Sequence, residues 1–121
     1  LVAEDNPANQ ELITYILDSI GISFTIKGNG KETLEEYKKN SLYDLILMDY
    51  RMPLLNGLET AKVIRNLSDK RRNSIPIIIA TGAHVDAELI NQKGKDINDI
   101  ITKPFDEELF IGAIENCLIN N

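Results

Sequence analysis

The sequence predicts an α/β fold: a doubly wound, five-stranded parallel sheet with helices on both faces. Three observations carry that prediction. Short apolar runs alternate with helical patterns from one end of the chain to the other. Two of the runs, Leu45-Ile46-Leu47-Met48 and Ile77-Ile78-Ile79-Ala80, are apolar throughout, which suits strands buried on both faces of a parallel sheet. No linker, repeat or low-complexity segment interrupts the succession, so the 121 residues read as a single domain over 1–121.

Leu1-Val2-Ala3 reads as the tail of a first strand that begins upstream. A helix over residues 7–20 follows, with Asn6 as its cap, Pro7 in its first position and Gly21 at its end. Its apolar stripe is Leu12, Ile13, Ile16, Leu17 and Ile20, which recurs with the helical period. Residues 23–27 form a second strand and residues 31–40 a weaker helix carrying Leu34 and Tyr37. The third strand ends on Asp49, and a loop with Pro53 and Gly57 leads to a helix that runs to about Leu67. Pro76 leads into the fourth strand, residues 86–93 make a poor helix, and residues 99–102 are the last strand. Asp106 caps the final helix, with Glu107 and Glu108 in its first turn, where the helix dipole favours anions. Leu109, Phe110, Ala113, Ile114, Cys117 and Leu118 are its expected buried face. The crossovers between strands should be right-handed.

Composition excludes several classes. Hydrophobic residues at 43% and charged residues at 26% can fill a real core, so the chain is not a disordered segment. The formal net charge is −6. Sequence-independent nucleic-acid binding rests on Lys and Arg neutralising phosphates, so no nucleic acid is expected on this domain. The one basic cluster, Lys70-Arg71-Arg72, reads as a solvated loop. A lone cysteine, Cys117, allows no internal disulfide and fits a reducing, cytoplasmic setting. No apolar run is long enough to span a membrane, and no signal-peptide pattern opens the chain.

In an open parallel sheet, ligands bind beyond the carboxyl ends of the strands. Glu4 and Asp5 follow the first strand, Asp49 ends the third, Thr81 and Gly82 follow the fourth, and Lys103 follows the fifth. Carboxylates gathered at one edge repel one another and need a cation. An all-oxygen set suits Mg²⁺, and no Cys/His cluster argues for zinc. Lys103 adds a fixed positive charge, and Thr81 offers a hydroxyl. Metal and lysine around one carboxylate describe a site for a phosphoryl group, whose transfer needs mainly positioning and charge neutralisation. One acid at a strand end is ordinarily a cap or a solvated loop residue. Complementary chemistry at four strand ends is harder to dismiss.

On Glu4-Asp5-Asn6-Pro7, Leu47-Met48-Asp49-Tyr50-Arg51-Met52-Pro53 with Gly57, Ala80-Thr81-Gly82-Ala83 and Thr102-Lys103-Pro104-Phe105, the chain resembles the receiver (response-regulator, CheY-like) family. The resemblance spans the chain from residue 1 to the last helix. It implies the flavodoxin-like strand order 2-1-3-4-5 and a cis Lys103–Pro104 bond. It implies that Asp49 accepts a phosphoryl group from a histidine kinase or histidine phosphotransfer domain. It further implies that Asp5, Asp49 and the Arg51 carbonyl ligate Mg²⁺, that Glu4 acts mostly through water, and that Lys103 and Thr81 contact the phosphoryl group. Such a domain catalyses only its own phosphorylation and dephosphorylation. Residues 5–10 look like the start of receivers fused to hybrid histidine kinases, which would let a membrane-anchored parent carry a domain that itself contacts no membrane. Neither the output domain nor the oligomeric state is implied.

The chain departs from the usual family pattern at Glu4, where Asp is commoner, and at Ile100, where many receivers carry Tyr or Phe. The second departure puts the usual Thr–aromatic switch in doubt. Arg51 and Ala83 occupy variable flanking positions that tune hydrolysis. A receiver fold without the chemistry is one alternative, which intact Asp5, Asp49, Thr81 and Lys103 oppose. A small metal-dependent phosphatase is another, and Arg51 two residues after Asp49 opposes that. Gly28-Asn29-Gly30-Lys31 is not a P-loop, because Thr25 and Glu32 stand where Gly and Ser/Thr are required. It reads as a turn, His84 as a loop residue, Tyr50 as rim packing and Cys117 as core.

Overall fold

The computed structural model describes residues 1–40, 42–82 and 87–119. Its sheet comprises β1 (Val2–Ala3), β2 (Ile26–Lys27), β3 (Ile46–Asp49), β4 (Ile77–Thr81) and β5 (Asp99–Thr102). Between and after them lie α1 (Pro7–Ser19), α2 (Gly30–Lys39), α3 (Gly57–Arg65), α4 (Lys70–Asn73), α5 (Ala87–Gln92) and α6 (Glu107–Ile119). All pairings are parallel, in the order β2-β1-β3-β4-β5. This is the doubly wound, flavodoxin-like arrangement expected above.

The two apolar runs are the middle of the sheet, and every residue of β3 and β4 is buried. Alternate side chains point to opposite faces, as the strand period of two requires. Ile46, Met48, Ile77 and Ile79 join Leu34, Tyr37, Leu58, Ile64 and Leu89 on the side of α2, α3 and α5. Leu47 and Ile78 join Ile13, Ile16, Leu17, Phe110 and Ile114 on the side of α1 and α6. Each buried isoleucine contributes about 1.5–3 kcal/mol relative to leaving it in water.

The caps behave as their chemistry directs. Asn6 Oδ1 accepts from Asn9 N–H at 3.1 Å, and Asp106 Oδ1 accepts from Leu109 N–H at 3.1 Å. Gly21, just past α1, has φ +73°, which glycine adopts without steric cost. Among the described residues, no helix is long and apolar enough to cross a membrane.

Several expectations need correction. The second strand is paired only over Ile26–Lys27, being on the sheet edge. Leu109 is 72% exposed and Leu118 40% exposed, so the buried stripe of α6 is narrower than its apolar pattern: Phe110, Ile114 and Cys117. Leu12 of α1 is likewise exposed. The basic cluster is one turn of helix rather than a loop, capped by Asp69. Arg72 Nη2 donates to the carbonyls of Tyr37 and Lys38, while the Tyr37 hydroxyl returns a bond to the Arg72 carbonyl at 2.8 Å. The basic turn therefore ties off the carbonyl end of α2. His84, Ala83 and the expected helix start at Asp86 lie outside the described residues.

Arg65, unremarked in the sequence, binds together the amino-terminal end of the sheet. Its Nε donates to the Asp96 carbonyl at 2.8 Å, Nη1 to the Asn73 and Ile75 carbonyls at 2.9 and 2.7 Å, and Nη2 to Asn98 Oδ1 at 3.0 Å. Asn98 Oδ1 also accepts from Ile77 N–H at 2.9 Å. Arg65→Met is expected to cost about 2–4 kcal/mol in urea denaturation, since four charged hydrogen bonds, three of them part-buried, disappear together. Arg65→Lys should recover less than half of it, because an ammonium cannot reproduce the planar fork. A loss below about 0.5 kcal/mol for Arg65→Met would remove this residue from the stabilising framework.

Candidate functional site

The carboxyl edge of the sheet collects the polar strand ends. Register sets Asp49 beside Ala80, and Thr81 beside Thr102, so Asp49, Thr81 and Lys103 fall on three successive strand ends. Backbone bonds continue beyond the strands: Tyr50 N–H to the Ala80 carbonyl at 2.8 Å, Lys103 N–H to the Thr81 carbonyl at 2.7 Å, and Glu4 N–H to the Lys27 carbonyl at 2.9 Å. These fix the first residue of each loop almost as firmly as the strand before it.

Lys103 Nζ lies 3.0 Å from Glu4 Oε1 and 3.0 Å from Asp49 Oδ1. Glu4 is only 1% exposed, and Asp49 and Thr81 are buried, whereas Asp5 faces solvent. Burial raises the Glu4 pKa above the usual carboxylate value; the hydrogen bonds from Lys103 and Asn6 N–H oppose that and Asp49 adds to it. Burial also disfavours the Lys103 ammonium, but its bonds to Glu4 and Asp49 outweigh this and raise its pKa. The lysine is therefore a fixed cation shared by two carboxylates.

Carboxylate oxygens of Glu4, Asp5 and Asp49 all lie within 4.8 Å of one another. An octahedral ion with bonds of about 2.0–2.1 Å sets its ligands roughly 3–4 Å apart, so the donor set fits Mg²⁺. Both Glu4 oxygens already have protein partners, Lys103 and the Asn6 amide at 3.1 Å, whereas Asp5 is open to solvent. That division leaves Asp5 the more accessible of the two carboxylates. The structure thus brings together Glu4, Asp5, Asp49 and Lys103, and places Thr81 on the neighbouring strand end. The Lys103–Pro104 bond is cis. Arg51 is exposed with its guanidinium 5.9 Å from the Tyr50 ring centre, and Tyr50 itself is buried. Ile100 is half-buried and packs on the α2–α3 side of the core.

Three further residues support the site. Gln10 Nε2 donates to the Glu4 carbonyl at 2.6 Å, anchoring the loop from β1 into α1. Gly57 N–H donates to the Tyr50 carbonyl at 2.8 Å, and a Cβ on Gly57 would stand 2.6 Å from the Asp49 carbonyl oxygen. The start of α3 approaches the backbone of Asp49 so closely that only glycine fits. Leu54 has φ +73°, with Leu55 N–H bonded to the Pro53 carbonyl at 2.9 Å across it, and its side chain is 72% exposed. Gln10 lies in the 5–10 segment noted above, but nothing in the sequence gives its bond to the Glu4 carbonyl, and Leu54 gives no sign of positive φ because that position usually favours glycine.

A family model described as the response regulator receiver domain matches residues 1–115, and the chain belongs to that family. It is a receiver domain of two-component signalling. Among curated relatives it is 42% identical over 121 residues to hybrid signal transduction histidine kinase I of Dictyostelium discoideum, covering 94% of this chain and 7% of the relative. It is 30% identical over 122 residues to chemotaxis protein CheY1 of Helicobacter pylori, covering 100% of this chain and 97% of that protein. The chain thus spans less than a tenth of the Dictyostelium kinase. Among solved structures it resembles the receiver domain of a sensor histidine kinase from Pseudomonas aeruginosa PAO1, with TM-score 0.83, 28% identity, and 97% and 93% of the two chains covered. That structure holds a magnesium ion coordinated in its active site cleft.

Lys103→Met should destabilise the metal-free protein by about 2–4 kcal/mol, because it leaves buried Glu4 facing Asp49 without a cation. Urea denaturation in the presence of a chelator reads this, and an unchanged midpoint would show that the ammonium is not what balances the pair. At Leu54 the left-handed backbone costs a side chain roughly 1–2 kcal/mol, and glycine's extra chain entropy returns about 0.5–1 of it. Leu54→Gly is therefore expected to match or exceed wild-type stability by up to about 1 kcal/mol in the same measurement. A clear loss would mean that the exposed side chain packs against something that holds it.

Proposed function

We propose that Asp49 is the phosphoacceptor of this receiver domain. The observation that carries the reading is the shared contact at Lys103, 3.0 Å from both Asp49 and Glu4, beside a third carboxylate within 4.8 Å. A carboxylate oxygen of Asp49 attacks the phosphorus of a partner's phosphohistidine. The P–N bond breaks as the P–O bond forms, and the departing imidazole keeps the electron pair and takes up a proton. Asp5, Asp49 and the Arg51 carbonyl are the residues that would hold Mg²⁺, with Glu4 reaching it through water. The ion supplies charge neutralisation for the phosphoryl oxygens. Lys103 stays charged and exchanges part of its contact with Asp49 for a phosphoryl oxygen, and the Thr81 hydroxyl donates to another.

In this reading the partner is a histidine kinase or histidine phosphotransfer domain. Residues 1–121 form one receiver domain, and the parent chain is a cytoplasm-facing hybrid histidine kinase. The likeness to the Dictyostelium kinase supports that parentage.

Acetyl phosphate with Mg²⁺ should label the wild-type protein at one site, and Asp49→Asn should abolish the label, read by phosphate-affinity electrophoresis or intact mass. Labelling of Asp49→Asn at wild-type stoichiometry would sink the assignment. Mg²⁺ at ten times its dissociation constant should add about 1.4 kcal/mol of stability, a rise of several degrees in Tm by thermal shift. No rise at millimolar Mg²⁺ would count against the metal site.

A further inference from the structure

The turn Gly28-Asn29-Gly30-Lys31, which does not qualify as a phosphate loop, lies against the loop between β3 and α3. Gly30 opens α2, and Asn29 caps it by accepting from Glu32 N–H at 2.8 Å. The backbone of Gly30 is not in the left-handed region, so its conformation alone would accept any residue. Space is what excludes a side chain. A Cβ on Gly30 would sit 2.6 Å from the Leu55 carbonyl oxygen, 2.9 Å from Leu55 Cβ, and on top of the Thr60 hydroxyl.

Neighbours differ in their ability to yield. Thr60 is fully buried, and its hydroxyl donates to the Asn56 carbonyl at 2.8 Å. Asn56 is locked in turn by a capping box: its side chain accepts from Glu59 N–H at 2.8 Å, and its own N–H donates to Glu59 at 2.9 Å. Gly57 is pressed against the Asp49 carbonyl. The first turn of α3 therefore has nowhere to go. The limb over residues 51–55 is different. Arg51, Pro53 and Leu54 are exposed, Met52 and Leu55 are half-buried, and Leu54 already holds a positive φ. Any displacement at Gly30 runs into this limb, and Arg51 lies on it.

We infer that Gly30 is a positioning residue for the phosphoacceptor site: its missing side chain lets α2 seat the β3–α3 loop and so fixes the Arg51 carbonyl. The inference rests on the reading of Arg51 as a Mg²⁺ ligand. Gly28 is a built-in control, because the nearest atom to a Cβ there is Glu32 Oε2 at 3.9 Å.

The test compares wild type, Gly28→Ala and Gly30→Ala by amide NMR without metal, then by Mg²⁺ titration, with circular dichroism and thermal melts confirming the fold. Gly30→Ala should move the amides of residues 51–56 before any metal is added. It should also raise the Mg²⁺ dissociation constant about tenfold, the scale on which supporting residues tune metal sites. Gly28→Ala should do neither. Wild-type loop amides and a wild-type dissociation constant in Gly30→Ala overturn the inference. Should the wild type fail to bind Mg²⁺, the metal reading falls, while the metal-free amide shifts still decide whether Gly30 seats the loop. Should Gly30→Ala fail to fold, the double variant Gly30→Ala, Thr60→Ala relieves the clash with the rigid turn of α3 and keeps the one with Leu55. It must then shift the same amides and weaken Mg²⁺ binding, and unchanged values overturn the inference equally.

Discussion

An ammonium between two carboxylates organises the functional end of this domain. Glu4 and Asp49 come from strands adjacent in the sheet, and Lys103 reaches both from the far edge at 3.0 Å. Without a cation the two acids would repel at short range in a half-dry setting, and the loops carrying them would part. With it, the ends of β1, β3 and β5 are fastened together although β5 neighbours neither of the other two, β4 lying between it and β3. The same contact prepares the chemistry. In the proposed reading, a lysine already paired with Asp49 needs little rearrangement to meet a phosphoryl oxygen formed there, which is how preorganised charge lowers a barrier.

Much of this was legible in the sequence because it depends on local pattern. Continuous apolar runs reveal strands buried on both faces, and the residue at the end of such a run must lie on the sheet edge. Asp49 and Thr81 are found by that rule alone. What escaped depends on approach between distant segments. The Glu4–Lys103 contact spans 99 residues. Arg72 became a tie for α2 because its acceptors are backbone carbonyls, which no side-chain pattern announces. Leu109 and Leu118 were misplaced because periodicity gives the direction of an apolar stripe but not how much of it a neighbour covers. The site residues also gain second roles that a motif does not carry, as with Gly57, whose place in the signature reflects its contact with the Asp49 carbonyl.

The two ends of the sheet are held by different physics. At the amino-terminal end, Arg65 joins the entries to β4 and β5, and Arg72 joins α4 to α2, both through backbone carbonyls. Guanidinium forks on carbonyls have no alternative partners in the signalling cycle, so this end has nothing to exchange. At the carboxyl end the fastening is a lysine on carboxylates, and in the proposed reading each of those bonds would have a substitute: a metal for the ammonium, a phosphoryl oxygen for the carboxylate. A switch needs that asymmetry. Ligand binding can shift a conformation only by the difference in its contacts between two states, so the exchangeable bonds must lie where the ligand arrives and the fixed ones elsewhere. Ile100 bears on how far such a shift travels. It is half-buried against the α2–α3 side of the core and has no ring to rotate between an inner and an outer position. In the proposed reading, no aromatic side chain at position 100 is there to carry such a shift, which leaves the backbone of the β3–α3 loop, closely seated against Gly30, as a route from the site.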